Sequence, residues 1–190
     1  MADPFFMHPS AIVDPGAQIG EGTKIWHFTH VSAGAKIGKN CVLGQNVFIA
    51  PTVTVGEGVH IQNNVSLYDG VTIDAFAFIG PSAVFTNVVN PRSEVPRKDE
   101  IRTTTIGRGV TIGANATVLC GLRVGAYAFV GAGAVITAHI PAYALVFGVP
   151  ARQFGWMCRC GEQLTVESGA AYCAVCGRGY RSEGEGLVEA

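Results

Sequence analysis

The chain has little charge and no long hydrophobic run, and both absences narrow the classes of protein to which it can belong. Only 14% of its residues are charged and the formal net charge is −1, which argues against a nucleic-acid-binding scaffold. No apolar run approaches the length of a membrane span. The N-terminal residues lack the basic and the apolar segments of a signal peptide. We therefore expect a cytoplasmic protein that binds neither nucleic acid nor membrane.

What the sequence does contain is a period of six residues. Large apolar residues occupy every sixth position from Val13 to Phe85, thirteen in succession, and again from Ile106 to Ile136. In the first run a small or β-branched residue stands four positions after each of them. An α-helix has 3.6 residues per turn and cannot keep this period on one face. A parallel β-helix can, with one short strand per hexapeptide and three strands per coil, so we predict an all-β fold of this kind.

Breaks in the period divide the chain. At 190 residues, one main domain with a small appendage is expected. Residues 91–105 interrupt the period, because fifteen residues intervene where twelve would have kept the phase. This polar, proline-bearing stretch predicts a protruding loop, and long loops on rigid scaffolds often carry function. We divide the chain into a β-helix domain (1–157), a four-cysteine segment (158–180) and a flexible tail (181–190).

The coil length predicts which residues stack on one another. An eighteen-residue coil places each residue about 4.8 Å beneath the residue eighteen positions later. One corner then carries His27, Gln45 and Asn63 in a column. Because amide ladders can satisfy the backbone groups of turns, a structural role and a ligand-binding role both remain open for Asn63. Asp69 and Asn87 stack at the next corner, immediately before the loop, and are expected to line a groove at its root.

Several stretches resemble the left-handed β-helix acyltransferases, and more narrowly the nucleotide-sugar N-acetyltransferases that act on 3-amino sugars. The greatest similarity is to the UDP-2-acetamido-3-amino-2,3-dideoxyglucuronate N-acetyltransferases, and it covers roughly residues 8–157. Its motifs are residues 25–30 (IWHFTH), 62–71 (QNNVSLYDGV), 80–92 (GPSAVFTNVVNPR) and 112–121 (IGANATVLCG), with the end-of-barrel motif GVPAR at 148–152.

The resemblance implies a left-handed β-helix, a homotrimer with active sites between subunits, and acetyl-CoA as cosubstrate. The implied reaction is N-acetylation of the 3-amino group of the UDP-linked uronate, for surface polysaccharide synthesis. A dTDP-linked 3-amino-3,6-dideoxyhexose remains an open alternative.

The family pattern also suggests residue roles. Asn87 would position the sugar amine, and the coenzyme sulfur could then take the proton. We further expect Asp69 to hold the ammonium group or relay its proton. The remaining candidates are His30, Asn63, Asn64, Tyr68 and Arg92 for the nucleotide sugar, and Gly113, Ala114, Gly131, Ala132, Pro150 and Arg152 for the coenzyme.

Two groups of polar residues keep more than one interpretation. His27 and His30 could serve as a base, as histidines do in many relatives, but packing or nucleotide binding is the favoured interpretation. Five of the thirteen Lys and Arg residues lie between Arg92 and Arg108, where they could bind a diphosphate or a carboxylate, or form an ordinary solvated loop.

The four cysteines near the C-terminus lie outside the resemblance. Cys158 and Cys160 form one close pair, Cys173 and Cys176 another, and a glycine follows each pair. Four thiolates suit a structural zinc ion in a zinc-ribbon-like segment. Disulfides are disfavoured in a cytoplasmic chain, free thiols are a further alternative, and iron remains possible by ligand type.

Two other functional classes compete with acyl transfer. A metal-dependent hydratase of the γ-carbonic anhydrase kind needs three converging histidines, whereas His27 and His30 lie several coils below His139. A non-catalytic β-helix that serves as an assembly platform would lack coenzyme A binding.

Overall fold

The computed structural model describes residues 4–190, which form a parallel β-helix with a small C-terminal cap. Most strands of the helix are two residues long. They are β1 (Phe6–Met7), β2 (Ile12–Val13), β3 (Gln18–Ile19), β4 (Lys24–Ile25), β5 (His30–Val31), β6 (Lys36–Ile37), β7 (Val42–Leu43), β8 (Phe48–Ile49), β9 (Thr54–Val55), β10 (His60–Ile61), β11 (Ser66–Leu67), β12 (Val71–Ile73), β13 (Phe78–Ile79), β14 (Val84–Phe85), β15 (Thr104–Ile106), β16 (Thr111–Ile112), β17 (Thr117–Val118), β18 (Arg123–Val124), β19 (Phe129–Val130) and β20 (Val135–Ile136).

Every third strand lies in the same sheet, so the chain winds as a three-sided prism. Face A holds β1, β4, β7, β10, β13, β16 and β19; face B holds β2, β5, β8, β11, β14, β17 and β20; face C holds β3, β6, β9, β12, β15 and β18. Ile25 pairs with Leu43, eighteen residues on, in parallel register. The all-β, parallel β-helix prediction is confirmed, and the architecture is consistent with the left-handed β-helix of hexapeptide-repeat proteins.

The core is a column of the large residues of the six-residue period. Ile25, Leu43, Ile61 and Ile79 stack along face A, and each has an exposed fraction of 0%. In each two-residue strand the second side chain points inward and the first outward, because successive strand residues face opposite sides. Burying each such side chain contributes about 1.5–3 kcal/mol.

The prism corners impose a left-handed backbone conformation at fixed positions. We name them corner AB, corner BC and corner CA after the faces that they join. At corner AB the φ angle is +57° at Asn46 and +62° at Asn64. Asparagine and glycine tolerate this region better than other residues, which explains the asparagines stacked there. The turn conformation therefore favours these asparagines without requiring them, since Phe28 and Ser82 adopt it in neighbouring coils.

The long loop leaves the prism at corner BC, as predicted. Val71 of β12 pairs with Thr104 of β15, a separation of one coil plus the fifteen inserted residues. Thr104 and Thr105, which we had assigned to the loop, already belong to β15, because they complete the face C ladder. The loop contains a short 3₁₀ helix, η1 (Lys98–Glu100). No helix within residues 4–190 has the length and apolarity that a membrane span requires.

The cap continues from the last coil. Strand β21 (Ala144–Phe147) completes face A and pairs antiparallel with β22 (Arg152–Met157), which pairs in turn with β23 (Gln163–Leu164). A separate antiparallel sheet follows, with strands β24 (Val166–Glu167), β25 (Ala170–Tyr172), β26 (Gly179–Glu183) and β27 (Gly186–Glu189).

The expectation of a flexible tail over residues 181–190 is wrong. Strands β26 and β27 form a hairpin that includes most of this segment, with Tyr180 paired to Glu189. Leu187 is buried with an exposed fraction of 1% and packs with Tyr143 and Tyr180. The hairpin is stable because it buries this apolar side chain and pairs its backbone, neither of which a frayed tail would do.

Candidate active site

A cleft of about 550 Å³ lies at corner BC, between the prism and the loop. The structure brings three candidate residues together here, namely Asp69, Asn87 and Arg92. Asp69 and Asn87 belong to successive coils of the same corner, and Arg92 comes from the beginning of the loop. The other lining residues are Val88, Pro91, Val95, Pro96, Arg97, Lys98 and Ile101.

Asp69 is held in place from the coil below. Its Oδ1 atom accepts hydrogen bonds from the Thr52 backbone N–H at 3.1 Å and from the Thr52 hydroxyl at 2.8 Å. The Oδ2 atom makes no hydrogen bond to the described residues 4–190. One carboxylate oxygen therefore anchors the side chain, and the other is available to a ligand in the cleft.

The loop presents cations to the cleft. Arg97 is neutralised by a bidentate pair with Glu100, at 2.7 and 2.9 Å. Arg92 and Lys98 are exposed, and neither has an ion-pair partner among residues 4–190. At the root of the loop, the Arg102 backbone N–H donates to the carbonyl of Asn87 at 2.9 Å. The cleft is therefore suited to an anionic ligand.

A second cleft, of about 430 Å³, lies on the other side of Asn87. Asn87, Arg102 and Cys120 are among its lining residues. Cys120 lies at corner BC and is buried. Its backbone N–H donates to the Thr86 hydroxyl at 2.9 Å, which holds it beside Asn87. No histidine lines either cleft in the described part of the chain.

The candidate coenzyme residues lie together, but at a different corner. Gly113, Ala114, Gly131 and Ala132 occupy corner AB in two successive coils, and the Gly133 N–H donates to Ala114 O at 2.8 Å. The turn between β21 and β22, which contains Pro150, is bound to Val135 of face B by backbone hydrogen bonds of 3.0 and 2.8 Å. We call this edge the upper AB edge; its residues are 113–114, 131–133 and 148–152.

The other substrate candidates do not reach the cleft within one chain. The Asn63 side-chain oxygen accepts the Gln45 backbone N–H at 2.8 Å, and Asn46 donates to the Asn64 oxygen at 3.1 Å, so both asparagines belong to the ladder at corner AB. His30 is on the outer side of face B and contacts Asp14 at 3.1 Å. Tyr68 packs near it on Phe48, with ring centroids 5.9 Å apart.

The four cysteines of the cap converge on one point. All four sulfur atoms lie within 4.8 Å of one another, and three pairs are separated by 3.3, 3.4 and 3.6 Å. Four thiolates around a zinc ion at about 2.3 Å would be about 3.8 Å apart, so the cluster has nearly the dimensions of a tetrahedral site. The cluster consists of Cys158, Cys160, Cys173 and Cys176.

A buried tyrosine supports the cysteine cluster. The Tyr180 hydroxyl lies 3.0 Å from Cys158 Sγ and accepts the Arg159 backbone N–H at 3.1 Å. Burial, together with the hydrogen bond to Cys158, raises the pKa of Tyr180 above its usual range. The phenol therefore remains protonated and can donate to the sulfur. Its ring packs on Tyr143, which joins the cluster to the last coil.

Comparisons with known proteins agree with this architecture. The Bacterial transferase hexapeptide (six repeats) family matches residues 16–51 and 103–138, and the Hexapeptide repeat of succinyl-transferase family matches residues 34–69. A dTDP-3-amino-3,6-dideoxy-alpha-D-galactopyranose 3-N-acetyltransferase from Aneurinibacillus thermoaerophilus is 42% identical over 176 residues, which cover 93% of this chain and 90% of the relative.

Two solved structures share the fold. The acetyltransferase domain of PglB from Neisseria gonorrhoeae FA1090, in complex with acetyl coenzyme A, superimposes with a TM-score of 0.52 at 27% identity, over 80% of this chain and 58% of that chain. WeeI from Acinetobacter baumannii AYE gives a TM-score of 0.54 at 25% identity, over 78% and 57% of the two chains. The alignments thus span little more than half of either solved chain. On the strength of the relative matched over nearly its whole length, the protein belongs to the hexapeptide-repeat acetyltransferases and is an N-acetyltransferase.

Proposed function

We propose that the protein transfers the acetyl group of acetyl-CoA to the 3-amino group of a nucleotide-linked amino sugar. The observation that supports this most directly is the cleft at corner BC. There an amide (Asn87), an anchored carboxylate (Asp69) and a guanidinium with no ion-pair partner among residues 4–190 (Arg92) face one volume. Such a set suits an amine next to an anionic group. The product would serve surface polysaccharide synthesis.

The reaction needs a neutral amine beside the thioester. We assign to Asn87 the positioning of the amine, and to Asp69 the binding of its ammonium form through the free Oδ2 atom, which accepts the ammonium proton and relays it to solvent to leave the neutral amine. When the nitrogen attacks the thioester carbonyl, the C–S bond breaks and the amide nitrogen must lose a proton. Since no histidine lines either cleft, we assign that proton to the departing coenzyme thiolate.

The nucleotide diphosphate accounts for the exposed cations of the loop. Arg92 and Lys98 are unpaired within residues 4–190 and line the same cleft as Asn87. The planar guanidinium of Arg92 can hold two phosphate oxygens at once, which a lysine ammonium cannot do. In this arrangement the sugar would lie between Asn87 and the loop.

The sugar that we propose is a dTDP-linked 3-amino-3,6-dideoxyhexose. The printed activity of the Aneurinibacillus relative, 42% identical over 93% of the chain, favours it over the UDP-linked uronate that the sequence motifs first suggested. One observation keeps the uronate as a second candidate: Arg102 lines the cleft on the other side of Asn87, where a carboxylate at the sugar C6 would find a charge partner.

A substrate panel tests this choice. We expect coenzyme thiol to be released with dTDP-3-amino-3,6-dideoxygalactose at a kcat/KM at least about tenfold above that with UDP-2-acetamido-3-amino-2,3-dideoxyglucuronate. The reason is that a site built for a 6-deoxy sugar would leave the carboxylate of the uronate without a charge partner. A dTDP-linked 4-amino sugar is the control for the position of the amine. A preference for the uronate would reverse the assignment of the sugar, and turnover of none of the three would reject the proposed function.

Homotrimerisation would complete the site. Within one chain the cleft lies at corner BC, whereas the proposed coenzyme residues lie on the upper AB edge, so a neighbouring copy must supply that edge. The outer surfaces of the faces support such an assembly. Face A exposes Phe6 and Phe78 and face B exposes Ile12 and Val84, with exposed fractions between 39% and 59%. The outward residues of face C are polar, namely Gln18, Lys36, Thr54, Thr72, Thr105 and Arg123.

Mixing two inactive variants tests whether the site is shared. Asn87→Ala removes the proposed amine-positioning group from the cleft, and Arg152→Ala removes a proposed coenzyme contact from the upper AB edge. If each site combines the cleft of one chain with the edge of another, random co-assembly of equal amounts should give about a quarter of wild-type turnover. If both halves came from one chain, no mixed trimer would contain an intact site and turnover would stay at the level of the separate variants. The measurement is thiol release after joint refolding or co-expression.

We propose that the cysteine cluster holds zinc in a structural role. The four sulfur atoms have nearly tetrahedral dimensions and form a complete ligand set, which leaves no position for a reacting water. Zinc would supply folding energy there and no step of acetyl transfer.

A further inference from the structure

The cysteine cluster and the upper AB edge, where we place the coenzyme, lie at opposite ends of one strand. β22 begins at Arg152, the last residue of the upper AB edge, and ends at Met157, next to Cys158. Cys158 and Cys160 then form the turn that leads into β23, with Cys158 N–H donating to Glu162 O at 2.7 Å. Trp156 and Met157 pair with β23 on the far side of that turn. The turn that contains Cys158 and Cys160 is thus the hairpin turn that follows β22, the strand that begins at Arg152.

The two ends of the strand pack differently. Arg152, Gln153 and Phe154 are exposed, and of these Phe154 stacks on Phe147 with ring centroids 3.8 Å apart. At the cluster end Met157 is buried and the half-buried Trp156 packs against both cores. On one side β22 pairs with β21, but this ladder is interrupted by a bulge between Leu145 and Val146. On the other side only Trp156 and Met157 have partners, both in β23. An exposed strand with an irregular ladder opens easily unless its ends are fixed.

Both ends of the strand are fixed, by different means. At the coenzyme end, the backbone of Gly148 and Ala151 is bound to Val135. At the cluster end, Met157 N–H donates to Tyr143 O at 2.7 Å, and the buried core around Tyr143 includes two of the cysteines, Cys158 and Cys173. That core is small. Without metal, the four thiols of the cluster would have no ion to hold them together.

We infer that the metal-bound cysteine cluster is a positioning element for the acetyl donor, which acts through β22 on the Pro150–Arg152 end of the coenzyme edge. This rests on the proposed placement of the coenzyme along the upper AB edge. The acceptor cleft at corner BC is built from Asp69, Asn87 and the loop, and none of these elements pairs with β22. Loss of the metal therefore weakens binding of the coenzyme and leaves binding of the sugar nucleotide intact.

The test compares metal-loaded and metal-stripped full-length enzyme. On stripping with a chelator under reducing conditions, we expect the KM for acetyl-CoA and the Kd for coenzyme A to rise about tenfold, the cost of ordering one or two long side chains on binding. The KM for the sugar nucleotide should stay within about twofold, since its cleft does not contact the strand. Amide hydrogen exchange over residues 152–157 should accelerate, and added Zn²⁺ should reverse all three effects.

Substitutions at an exposed ligand separate positioning from general damage. Cys160 is the exposed member of the cluster, so its replacement removes a proposed ligand without itself creating a buried cavity, and any change in the cap then follows from loss of the metal. Cys160→Ala should reproduce the stripped enzyme, and Cys160→His should restore wild-type behaviour, because three thiolates and an imidazole are a common zinc set. Val175→Ala, at an exposed site of the same unit, is the matched control and should change nothing.

Each failure has its own signature. An unchanged coenzyme affinity after stripping, or an equal rise in both KM values, would overturn the inference. So would weakened coenzyme binding on stripping with no effect of Arg152→Ala, because the route through β22 would then be wrong. A loaded enzyme that acetylates no amino sugar would instead reject the proposed function, and the coenzyme titration would still decide the inference.

Discussion

Replacing Asn87 by alanine is expected to lower kcat about 10²–10³-fold, the loss seen when one positioned hydrogen-bonding group is removed from an acyl-transfer site. The reason is its location. Asn87 lines both clefts of corner BC, so it lies where a bound amine and an incoming thioester would meet. Thiol release with acetyl-CoA and the preferred amino sugar measures the effect. The KM for acetyl-CoA should change little, because the coenzyme edge is at another corner.

The matched control for this experiment is Asn90→Ala. Asn90 is exposed in the same segment, three residues further on, and lines neither cleft. Its replacement should leave kcat within about twofold, since surface substitutions away from a site rarely matter. Thermal unfolding of both variants should match the wild type, because neither side chain belongs to the core. Full turnover by Asn87→Ala would remove Asn87 from the mechanism.

The prism could be predicted because every coil repeats the same pattern of inward-facing apolar residues. The inward position tolerates only large apolar residues, so Ile25, Leu43 and Ile61 recur at intervals that no helix could match. The same logic located the loop, since an insertion at a corner interrupts the period without disturbing the ladder on either side. A repeated constraint therefore predicts both the fold and its interruption.

The site was predictable only in part, because position along the chain does not tell what a polar side chain does. Asp69 and Asn87 fall in one cleft, since stacking places them at the same corner beside the loop. Asn63 and Asn64 have side chains of similar size and polarity at another corner, where hydrogen bonds to the neighbouring coil already use their amides. Only the hydrogen-bond partners of these side chains distinguish the cleft pair, Asp69 and Asn87, from the ladder pair, Asn63 and Asn64. In the proposed trimer, the relation of the cleft to the upper AB edge would depend on neighbouring copies, which no single chain encodes as a local pattern.

The tail was misread for a different reason. Its glutamates and glycines have the composition of a disordered segment, whereas its turn chemistry favours a hairpin. Gly184 adopts a φ of +59° in the two-residue turn between β26 and β27, a conformation that hairpins favour. A glycine at the turn followed by the apolar pair Leu187 and Val188 is a hairpin signal. A segment of polar composition can therefore form a short strand when one of its side chains, here Leu187, is buried in a core.

Replacing Cys173 by serine is expected to abolish metal binding and to unfold the cap while the β-helix stays folded. Cys173 is a buried member of the proposed metal site, and among residues 4–190 the core of the cap has six buried residues, of which Cys158 and Cys173 are two. A structural zinc site contributes on the order of 10 kcal/mol to a unit of this kind, far more than so small a core can replace. The prism has its own core, Ala11 to Val146, which shares none of its buried residues with the core of the cap.

Metal content and limited proteolysis measure this effect together. The wild type should contain one zinc ion per chain and resist cleavage beyond residue 157, whereas Cys173→Ser should contain almost none and be cut between residues 158 and 190 to leave a stable β-helix fragment. Cys41→Ala is the control, because Cys41 is buried in the prism away from the cluster and its loss should leave the metal content unchanged. Full metal content in Cys173→Ser would exclude this cysteine as a ligand. A protease-resistant cap without metal would show that the core around Tyr143 and Leu187 is sufficient to fold it.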